Sequence, residues 1–344
     1  MPDRALVAMS GGVDSSVAAL LMLRDGFDCA GAIMKLHPDA VDSGADAQSV
    51  ADKLGIPFFV FDFSEAFTSR VIKRFITDYR EGRTPNPCIE CNRHLKFGSL
   101  LEKTRELSYD CIVTGHYARI VRSENGRFLL KRGADLSKDQ SYVLYSLKQD
   151  QLARIKLPLG ELSKSQVREL AQNAQLDNAN RRESQDICFI PDGDYARFIV
   201  EYSGKQPRNG RFVDIDGNYL GDHNGVLHFT VGQRRGIGLA MPHPMYVLEL
   251  RPEDDTVIIG KNEQLFSKTL FAGDINLIPV DRLDAPLRGM VKIRYKHSGQ
   301  PATVYQIDDN TLRIDFDEPQ RAITKGQAAV VFDGDTVIGG GTII

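Results

Sequence analysis

A glycine-rich segment between an apolar strand and an amphipathic helix constrains this chain more than any other feature. The apolar run Ala5–Met9 leads directly into Ser10-Gly11-Gly12-Val13-Asp14-Ser15-Ser16, after which apolar residues recur at helical spacing. The N–H groups at a helix N-terminus carry partial positive charge, and glycines let the backbone approach an anion closely. The segment therefore predicts a phosphate-binding loop between the first strand and the first helix.

The spacing of the glycines separates this loop from two other phosphate-binding patterns. It matches neither GxxxxGK[ST] nor GxGxxG, so it indicates neither a Walker loop nor a dinucleotide fingerprint. We expect the hydroxyl groups of Ser10, Ser15 and Ser16 to add donors. Asp14 would repel bare phosphate, so we expect it to meet a cation or to cap the helix. A capped turn with incidental glycines is the alternative interpretation.

Alternating strand and helix patterns continue through the first two hundred residues. Apolar runs at Ala30–Met34, Pro57–Phe61 and Cys111–Thr114 alternate with helical patterns such as Ala45–Leu54. Such strands joined by helices are typical of a parallel sheet in an α/β protein. A segment beginning at Ser163 predicts a capped amphipathic helix. We therefore predict a Rossmann-like α/β domain over residues 1–204.

The composition changes after about Gly204, where turn pairs and short β-branched runs become frequent. We predict a small central domain over residues 205–268 and a C-terminal β-barrel over residues 269–344. The strands expected in this last domain are Met290–Tyr295, Ala302–Gln306, Thr311–Phe316, Ala328–Phe332 and Val337–Gly339.

Charge and hydropathy exclude several functional classes. Lys and Arg number 43 and Asp and Glu 46, so the net charge of −3 predicts no general attraction to nucleic acid or membranes. A nucleic-acid partner would need a local basic patch. No run reaches the ~20 apolar residues of a membrane span. Five cysteines without a secretory signal favour a reducing compartment, and we expect a cytoplasmic protein.

Two of the cysteines, Cys88 and Cys91, stand close together in a segment with two prolines. We predict an ordered loop there, followed by a helix from His94. The spacing is half of a zinc site, and a plain buried thiol pair is a further interpretation. Nearby basic residues would favour thiolates, and these are Arg80, Arg83, Arg93, His94 and Lys96.

The other three cysteines are isolated in the sequence. Cys29 and Cys111 lie in strand-like runs, and we expect them in the core. Cys188 follows the polar residues Glu183–Asp186, which are unusual for a buried strand and suggest a site at the mouth of that strand.

The glycine loop resembles that of the PP-loop ATP pyrophosphatases, which adenylate a carbonyl oxygen and release pyrophosphate. A closer resemblance rests on SGGVDSS, GRTPNPCIECNRHLKF, TGHYAR, KDQSYVLY and ESQDICFI, which occur in the order found in the tRNA-specific 2-thiouridylase family, MnmA. HFTVGQRRGIG and IRYKHS also fit, so the resemblance spans nearly the whole chain. It implies that ATP, with Mg²⁺, adenylates the C2 oxygen of a wobble uridine in tRNA. Sulfur then replaces that oxygen, which yields 2-thiouridine, AMP and pyrophosphate.

The resemblance also implies roles for individual residues. Cys188 would carry a persulfide, and Cys91 would be the nucleophile that ends in a transient Cys91–Cys188 disulfide. The implied ATP contacts are Ala8, Met9, Ser10, Gly11, Gly12, Val13, Asp14, Ser15, Met34 and Gly115. The implied contacts to tRNA and its base are Asn86, Pro87, Cys88, His116, Lys138, Asp139, Gln140, Arg294, Tyr295 and Gln327.

The partners implied are tRNAs with a wobble uridine, namely the Lys, Glu and Gln acceptors, and a sulfur-relay protein or cysteine desulfurase. No permanent protein-bound metal and no membrane are expected. We further expect Lys292, Arg294, Lys296 and His297 to alternate along one strand, so that their side chains share a face that follows a phosphate backbone.

One position departs from the family pattern. Many members have Asp where this chain has Cys88, so the general-base role of that Asp is in doubt here. Cys88 as a second thiol for relay is one alternative. Two other functional classes stay open at this point: an ATP-dependent amidotransferase, which needs no paired cysteines, and a zinc-stabilised RNA-binding module, which leaves the glycine loop unexplained.

Overall fold

Three sheets organise the chain, and the computed structural model describes them over residues 2–37, 44–179 and 187–344. Two predictions lie outside the described residues. One is the site expected at Glu183–Asp186, and the other concerns residues 38–43 of the segment 37–46, whose order the sequence leaves open.

The first domain is built on a parallel sheet, as predicted. Its strands lie in the order β3-β2-β1-β4-β7, and the adjacent β5 and β6 form an antiparallel hairpin. The strand bounds are β1 (Arg4–Ala8), β2 (Asp28–Lys35), β3 (Phe58–Asp62), β4 (Cys111–Val113), β5 (Ala118–Arg122), β6 (Phe128–Arg132) and β7 (Ile155–Lys156).

Helices cover this sheet, and two of them continue from π-helical segments, Thr68–Ile72 and Asn92–Ser99. Both sheet faces bury apolar side chains, which gives one core cluster around Leu6 and another around Val7. The α-helices are α1 (Val13–Arg24), α2 (Ala45–Leu54), α3 (Ser64–Phe67), α4 (Lys73–Arg80), α5 (Pro87–Cys91), α6 (Leu100–Glu106), α7 (Gln149–Leu152), α8 (Lys164–Asn173) and α9 (Tyr195–Ser203).

A small four-stranded sheet follows, in the order β10-β11-β8-β9. Its own core contains Phe212, Phe229 and Val247, all with little exposed surface. The strands are β8 (Gly210–Val213), β9 (Tyr219–His223), β10 (Tyr246–Arg251) and β11 (Thr256–Gly260).

The last six strands close into a barrel, because the first pairs with the last. The barrel predicted from the sequence is thus confirmed. The strands are β12 (Phe266–Leu277), β13 (Leu287–Lys292), β14 (Gln300–Asp308), β15 (Thr311–Arg321), β16 (Ala328–Asp333) and β17 (Thr336–Ile343).

The barrel contacts the first domain through strand pairing and through a shared apolar cluster. Hairpin strand β6 pairs with β17 through Lys131 and Thr336, so the hairpin extends the barrel sheet. Buried barrel residues such as Val330 and Phe332 belong to the same apolar cluster as Leu6 of β1. The barrel is therefore fixed against the face of the first domain on which Cys91 packs.

Candidate active site

The glycine loop lies between β1 and α1, as predicted, and its own serines hold it in shape. Gly11 has a φ of +73°, a conformation that favours glycine. The hydroxyl groups of Ser15 and Ser16 donate to the carbonyl oxygen of Gly12, at 3.0 and 3.1 Å. Both serines are buried, and their hydroxyl hydrogens are donated within the loop. The expectation that the three serines add donors for phosphate stays a prediction.

Asp14 in the first turn of α1 meets a cation, and that cation is Lys164. The lysine Nζ lies 2.7 Å from Oδ1 and 2.8 Å from Oδ2 of the aspartate. The hydroxyl group of Tyr117 donates to Oδ1 at 2.7 Å. The carboxylate therefore accepts three hydrogen bonds within the protein.

Asn178 is a further loop contact that sequence reasoning missed. Its Nδ2 donates to the carbonyl oxygen of Gly11 and to the hydroxyl oxygen of Ser16, both at 2.9 Å. The amide is buried and reaches the loop from a position 167 residues away along the chain. No spacing in the sequence signals such a contact.

The loop stands at the carboxyl edge of the sheet where the strand order reverses, between β1 and β4. Ligands of open α/β sheets bind in the crevice at such a point. Ala8 ends β1, and Met34 lies near the end of the adjacent β2. Gly115 follows β4, and a Cβ there would lie 2.8 Å from the Asp14 carbonyl carbon and 2.9 Å from the Ser15 nitrogen. The predicted ATP contacts therefore converge on one crevice.

The two nearby cysteines lie on a helix, not in the predicted loop. Helix α5 begins at Pro87, and the side-chain oxygen of Asn86 caps it by accepting from the Cys88 N–H at 3.1 Å. Asn at the N-cap followed by Pro at the first helical position is typical of a helix start. This signal in the sequence predicts the start of α5. The chain continues from Cys91 into the π-helical segment, so the predicted start at His94 is seven residues late.

Cys188 reaches the same site from a turn and not from a strand. Its neighbour Phe189 anchors the turn, because the Phe189 ring packs against Phe67, Phe75 and Phe198 at centroid distances of 5.2 to 5.5 Å. Cys188 itself is exposed. The aromatic packing fixes the backbone while the thiol stays accessible.

Three thiols thus share one site, and each is a free cysteine. Burial, with a smaller contribution from the neighbouring thiols of Cys188 and Cys88, raises the pKa of Cys91 to about 11. Loss of water also raises the pKa values of Cys88 and Cys188, although both residues are exposed at the surface. The ammonium group of Lys96 acts in the opposite direction on the pKa values of all three. Cys29 and Cys111 are buried, as expected.

The other basic residues near the cysteines bind other side chains and not the thiols. This corrects the prediction that a cluster of basic residues favours thiolates. Arg83 pairs with Asp78 and Glu81, and Arg93 pairs with Asp274 of the barrel. The remaining two also have partners: Arg80 donates to Ser203 Oγ at 2.7 Å, and His94 lies 3.4 Å from Glu90.

His116 connects the thiol site to the glycine loop. Its Nδ1 lies 2.8 Å from Thr114 Oγ1, and burial together with Lys96 lowers its pKa well below the ordinary value. The imidazole is therefore neutral at physiological pH. Gly115 packs on the glycine loop and the adjacent His116 is close enough to Lys96 for its charge to act on the imidazole, so this turn lies between the glycine loop and the thiol site and contacts both.

The predicted tRNA-contact triplet Lys138-Asp139-Gln140 lies beside this turn. Asp139 is buried, and its Oδ1 accepts from the N–H groups of Gly133 and Ser141. The side-chain oxygen of Gln140 accepts from the Tyr117 N–H at 3.0 Å.

The basic residues of the barrel are arranged differently from the prediction. Strand β13 ends at Lys292, so Arg294, Tyr295 and Lys296 occupy a turn and do not alternate along a strand. All three are exposed. The ammonium group of Lys292 instead faces the rings of Tyr142 and Tyr295, at 5.7 and 5.9 Å.

A barrel loop contacts the segment before the cysteine helix. The Thr84 N–H donates to the Lys325 carbonyl at 2.8 Å, and Gln327 Nε2 donates to the Thr84 carbonyl at 2.7 Å. A Cβ on Gly326 would lie 3.0 Å from the Thr84 nitrogen, so the two backbones are in close contact.

Within residues 2–37, 44–179 and 187–344, no three His, Cys, Asp or Glu side chains are arranged to hold a metal ion. In those same ranges, no helix combines the length and the hydropathy that a membrane crossing requires.

Comparison with known proteins decides the family. Residues 3–192 match the family described as the tRNA methyl transferase HUP domain, residues 196–261 its PRC-barrel domain, and residues 267–343 the aminomethyltransferase β-barrel domain. The tRNA-specific 2-thiouridylase MnmA of Clostridioides difficile strain 630 is 46% identical over 100% of this chain and 98% of its own length. The chain belongs to the MnmA family of tRNA-specific 2-thiouridylases.

Further MnmA relatives agree over the full length. The proteins of Lachnoclostridium phytofermentans and Carboxydothermus hydrogenoformans are 45% and 46% identical, each over 99% of this chain, covering 99% and 97% of their own lengths. The family resemblance, the sulfurtransferase class and the α/β-plus-barrel fold predicted from the sequence are thereby confirmed. The chain is an enzyme of a tRNA-modifying family. The roles of individual residues and the domain bounds at 204 and 268 stay predictions.

Proposed function

We propose that this member of the MnmA family converts the wobble uridine of tRNA to 2-thiouridine in the cytoplasm. The observation that carries the proposal is the convergence of three thiols beside the turn that packs on the glycine loop. One half of the site offers N–H groups for a triphosphate, and the other offers sulfur nucleophiles.

In the first step, ATP binds with its phosphates at the N-terminus of α1. The uracil C2 oxygen attacks the α-phosphorus, and pyrophosphate leaves. Mg²⁺ would enter with ATP and neutralise the departing charge, because Mg²⁺ commonly binds through substrate phosphates and water with few protein ligands. Asp14 is the one carboxylate in the segment Ser10–Ser16, and Lys164 already pairs with it. This fits an ion held mainly by the phosphates.

In the second step, the terminal sulfur of a Cys188 persulfide attacks C2 of the adenylated base. The Cys91 thiolate then attacks Sγ of Cys188, the electron pair passes to the distal sulfur, and AMP leaves as the C2–sulfur double bond forms. A Cys91–Cys188 disulfide results, and an external thiol reduces it. The sulfur is supplied by a relay protein or a cysteine desulfurase, and the acceptors are the tRNAs for Lys, Glu and Gln.

Cys88 replaces the Asp of many relatives and brings a third thiol to the site. Because loss of water raises the pKa of its thiol, it is mostly protonated at neutral pH and is a poor general base. We propose that it supports sulfur relay and is dispensable for a single turnover.

The test incubates the enzyme with unmodified tRNA, Mg·ATP and a cysteine desulfurase with cysteine, followed by mass spectrometry of the nucleosides. We expect 2-thiouridine and tRNA-dependent release of pyrophosphate. Cys91→Ala and Cys188→Ala should each abolish the product, whereas Cys88→Ala keeps a single turnover. The matched control is Cys29→Ala, which alters a thiol buried in β2. Full activity of Cys91→Ala or Cys188→Ala would contradict the assignment.

A further inference from the structure

We propose that Lys164 is a positioning residue of the phosphate loop, which neutralises and orients Asp14 so that the loop accepts the triphosphate of ATP. The inference rests on the proposed ATP site and adds a residue that no motif or resemblance assigns to it.

The geometry of the pair supports the proposal. The ammonium group contacts both carboxylate oxygens, at 2.7 and 2.8 Å, and Lys164 has 8% of its surface exposed. A buried ammonium group is unfavourable unless it is paired and hydrogen-bonded. The ammonium group is therefore buried, whereas the Asp14 carboxylate that it binds is partly exposed.

The position of Lys164 in its helix also supports its role as the partner of Asp14. It is the first residue of α8 and follows the N-cap Ser163. The Ser163 side chain accepts from the Gln166 N–H, and the Gln166 side chain accepts from the Ser163 N–H. The N-terminus of a helix disfavours positive charge, because of the partial charge of its N–H groups. A lysine placed there is compensated by the carboxylate that it binds. The Lys164 N–H is held in addition by Asp135 Oδ2 at 3.1 Å.

The effect on the phosphate loop follows from the placement of Asp14. Asp14 is the second residue of α1, beside the N–H groups that would bind phosphate. A bare carboxylate there competes with the triphosphate for the positive end of the helix and repels it. Lys164 cancels that charge, and the Tyr117 hydroxyl group fixes the carboxylate from a second side.

The experiment measures ATP affinity by equilibrium dialysis and the KM and kcat of tRNA thiolation. For Lys164→Met we expect about a tenfold to 100-fold weaker affinity for ATP and a higher KM, with a smaller change in kcat. Lys164→Arg should recover part of the affinity because it retains the charge. Tyr117→Phe should cost less than Lys164→Met, and Lys103→Met, on an exposed pair in α6, should change nothing.

A double variant distinguishes the mechanism. If Lys164 acts through Asp14, then Lys164→Met should lower ATP affinity much less when Asp14→Asn is already present. Equal losses in both backgrounds, or unchanged affinity of Lys164→Met while the wild-type enzyme binds ATP, would overturn the inference. Failure of the wild-type enzyme to bind ATP would overturn the proposed function instead. Thermal unfolding monitors folding, and if Lys164→Met does not fold, Lys164→Arg and Tyr117→Phe decide by the same affinity criterion.

Discussion

The two halves of the candidate site are organised in opposite ways. In the phosphate loop, hydrogen bonds already hold the polar side chains: Ser15 and Ser16 bind the Gly12 carbonyl, and Lys164 and Tyr117 bind Asp14. In the thiol site, three free cysteines face one another, with Lys96 as the cation that acts on all three.

This difference corresponds to the chemistry proposed for each half. Stabilising a leaving pyrophosphate requires donors that are oriented before the reaction, because reorientation during the reaction costs free energy. Sulfur transfer requires thiols that lose a proton, form a disulfide and are reduced again. Permanent ion-pair partners would obstruct these changes. The phosphate loop therefore binds, and the thiol site reacts.

Among the variants that test this comparison, the largest effect is expected from Gly115→Ala, which tests the phosphate loop. The added Cβ would lie 2.8 to 2.9 Å from backbone atoms of Asp14 and Ser15, so the loop or the turn must shift. We expect about a 100-fold lower kcat/KM for ATP, from the cost of overpacking. Equilibrium dialysis and steady-state kinetics measure this. Gly44→Ala is the control, since its Cβ would lie 3.9 Å from Ile33. An unchanged affinity in Gly115→Ala would show that the loop is not rigid.

An intermediate effect is expected from Lys96→Met, which tests the reactive half. Lys96 lowers the pKa of each thiol, so its removal raises these values and leaves less thiolate at neutral pH. Since Cys91 has a pKa of about 11, the thiolate-dependent rate rises with pH, about tenfold per unit below that value. The single-turnover pH profile of Lys96→Met should move to higher pH, with unchanged ATP affinity.

Lys103→Met provides a charge-matched control for that profile, because it lies on an exposed face of α6. A Lys96→Met profile that superimposes on the wild-type profile would mean that Lys96 does not tune the thiols.

The smallest effect is expected from Gln327→Ala, which tests whether the barrel shapes the reactive half. The variant loses the 2.7 Å hydrogen bond to Thr84, worth about 1 kcal/mol. We expect a few-fold lower kcat for thiolation and a changed rate of Cys91 alkylation, with ATP binding unaltered. Gln306→Ala is the control, because its contacts stay within the barrel. A weaker affinity for tRNA with unchanged alkylation would favour the predicted direct contact to tRNA.

Local sequence predicted those parts of the molecule whose causes are local. The glycine loop, the strand and helix on either side of it, and the capping box of Ser163 with Gln166 all arise from neighbouring residues. Helix α2 has the predicted bounds, Ala45–Leu54. The burial of Cys29 and Cys111 followed from their apolar strands.

The predictions are wrong where two local signals conflict or where a residue binds a partner far away in the sequence. The prolines at positions 85 and 87 predict a loop around Cys88 and Cys91, but Asn86 caps a helix that begins at Pro87. The basic residues after Lys292 continue the alternation of β13 in sequence, but the chain turns there. The arginines near Cys91 have acidic partners, and one of these, Asp274, lies 181 residues from Arg93.

The sequence by itself determined the family, the α/β-plus-barrel fold and the residue types that the reaction needs, because these depend on motifs and on periodic apolar patterns. Only the tertiary structure decided which groups meet. It brought Cys188 to Cys91, Lys164 and Asn178 to the phosphate loop, and Gln327 to Thr84. The physical reason is that a hydrogen bond or an electrostatic interaction depends on distance in space, and only chain packing sets that distance for residues far apart in sequence.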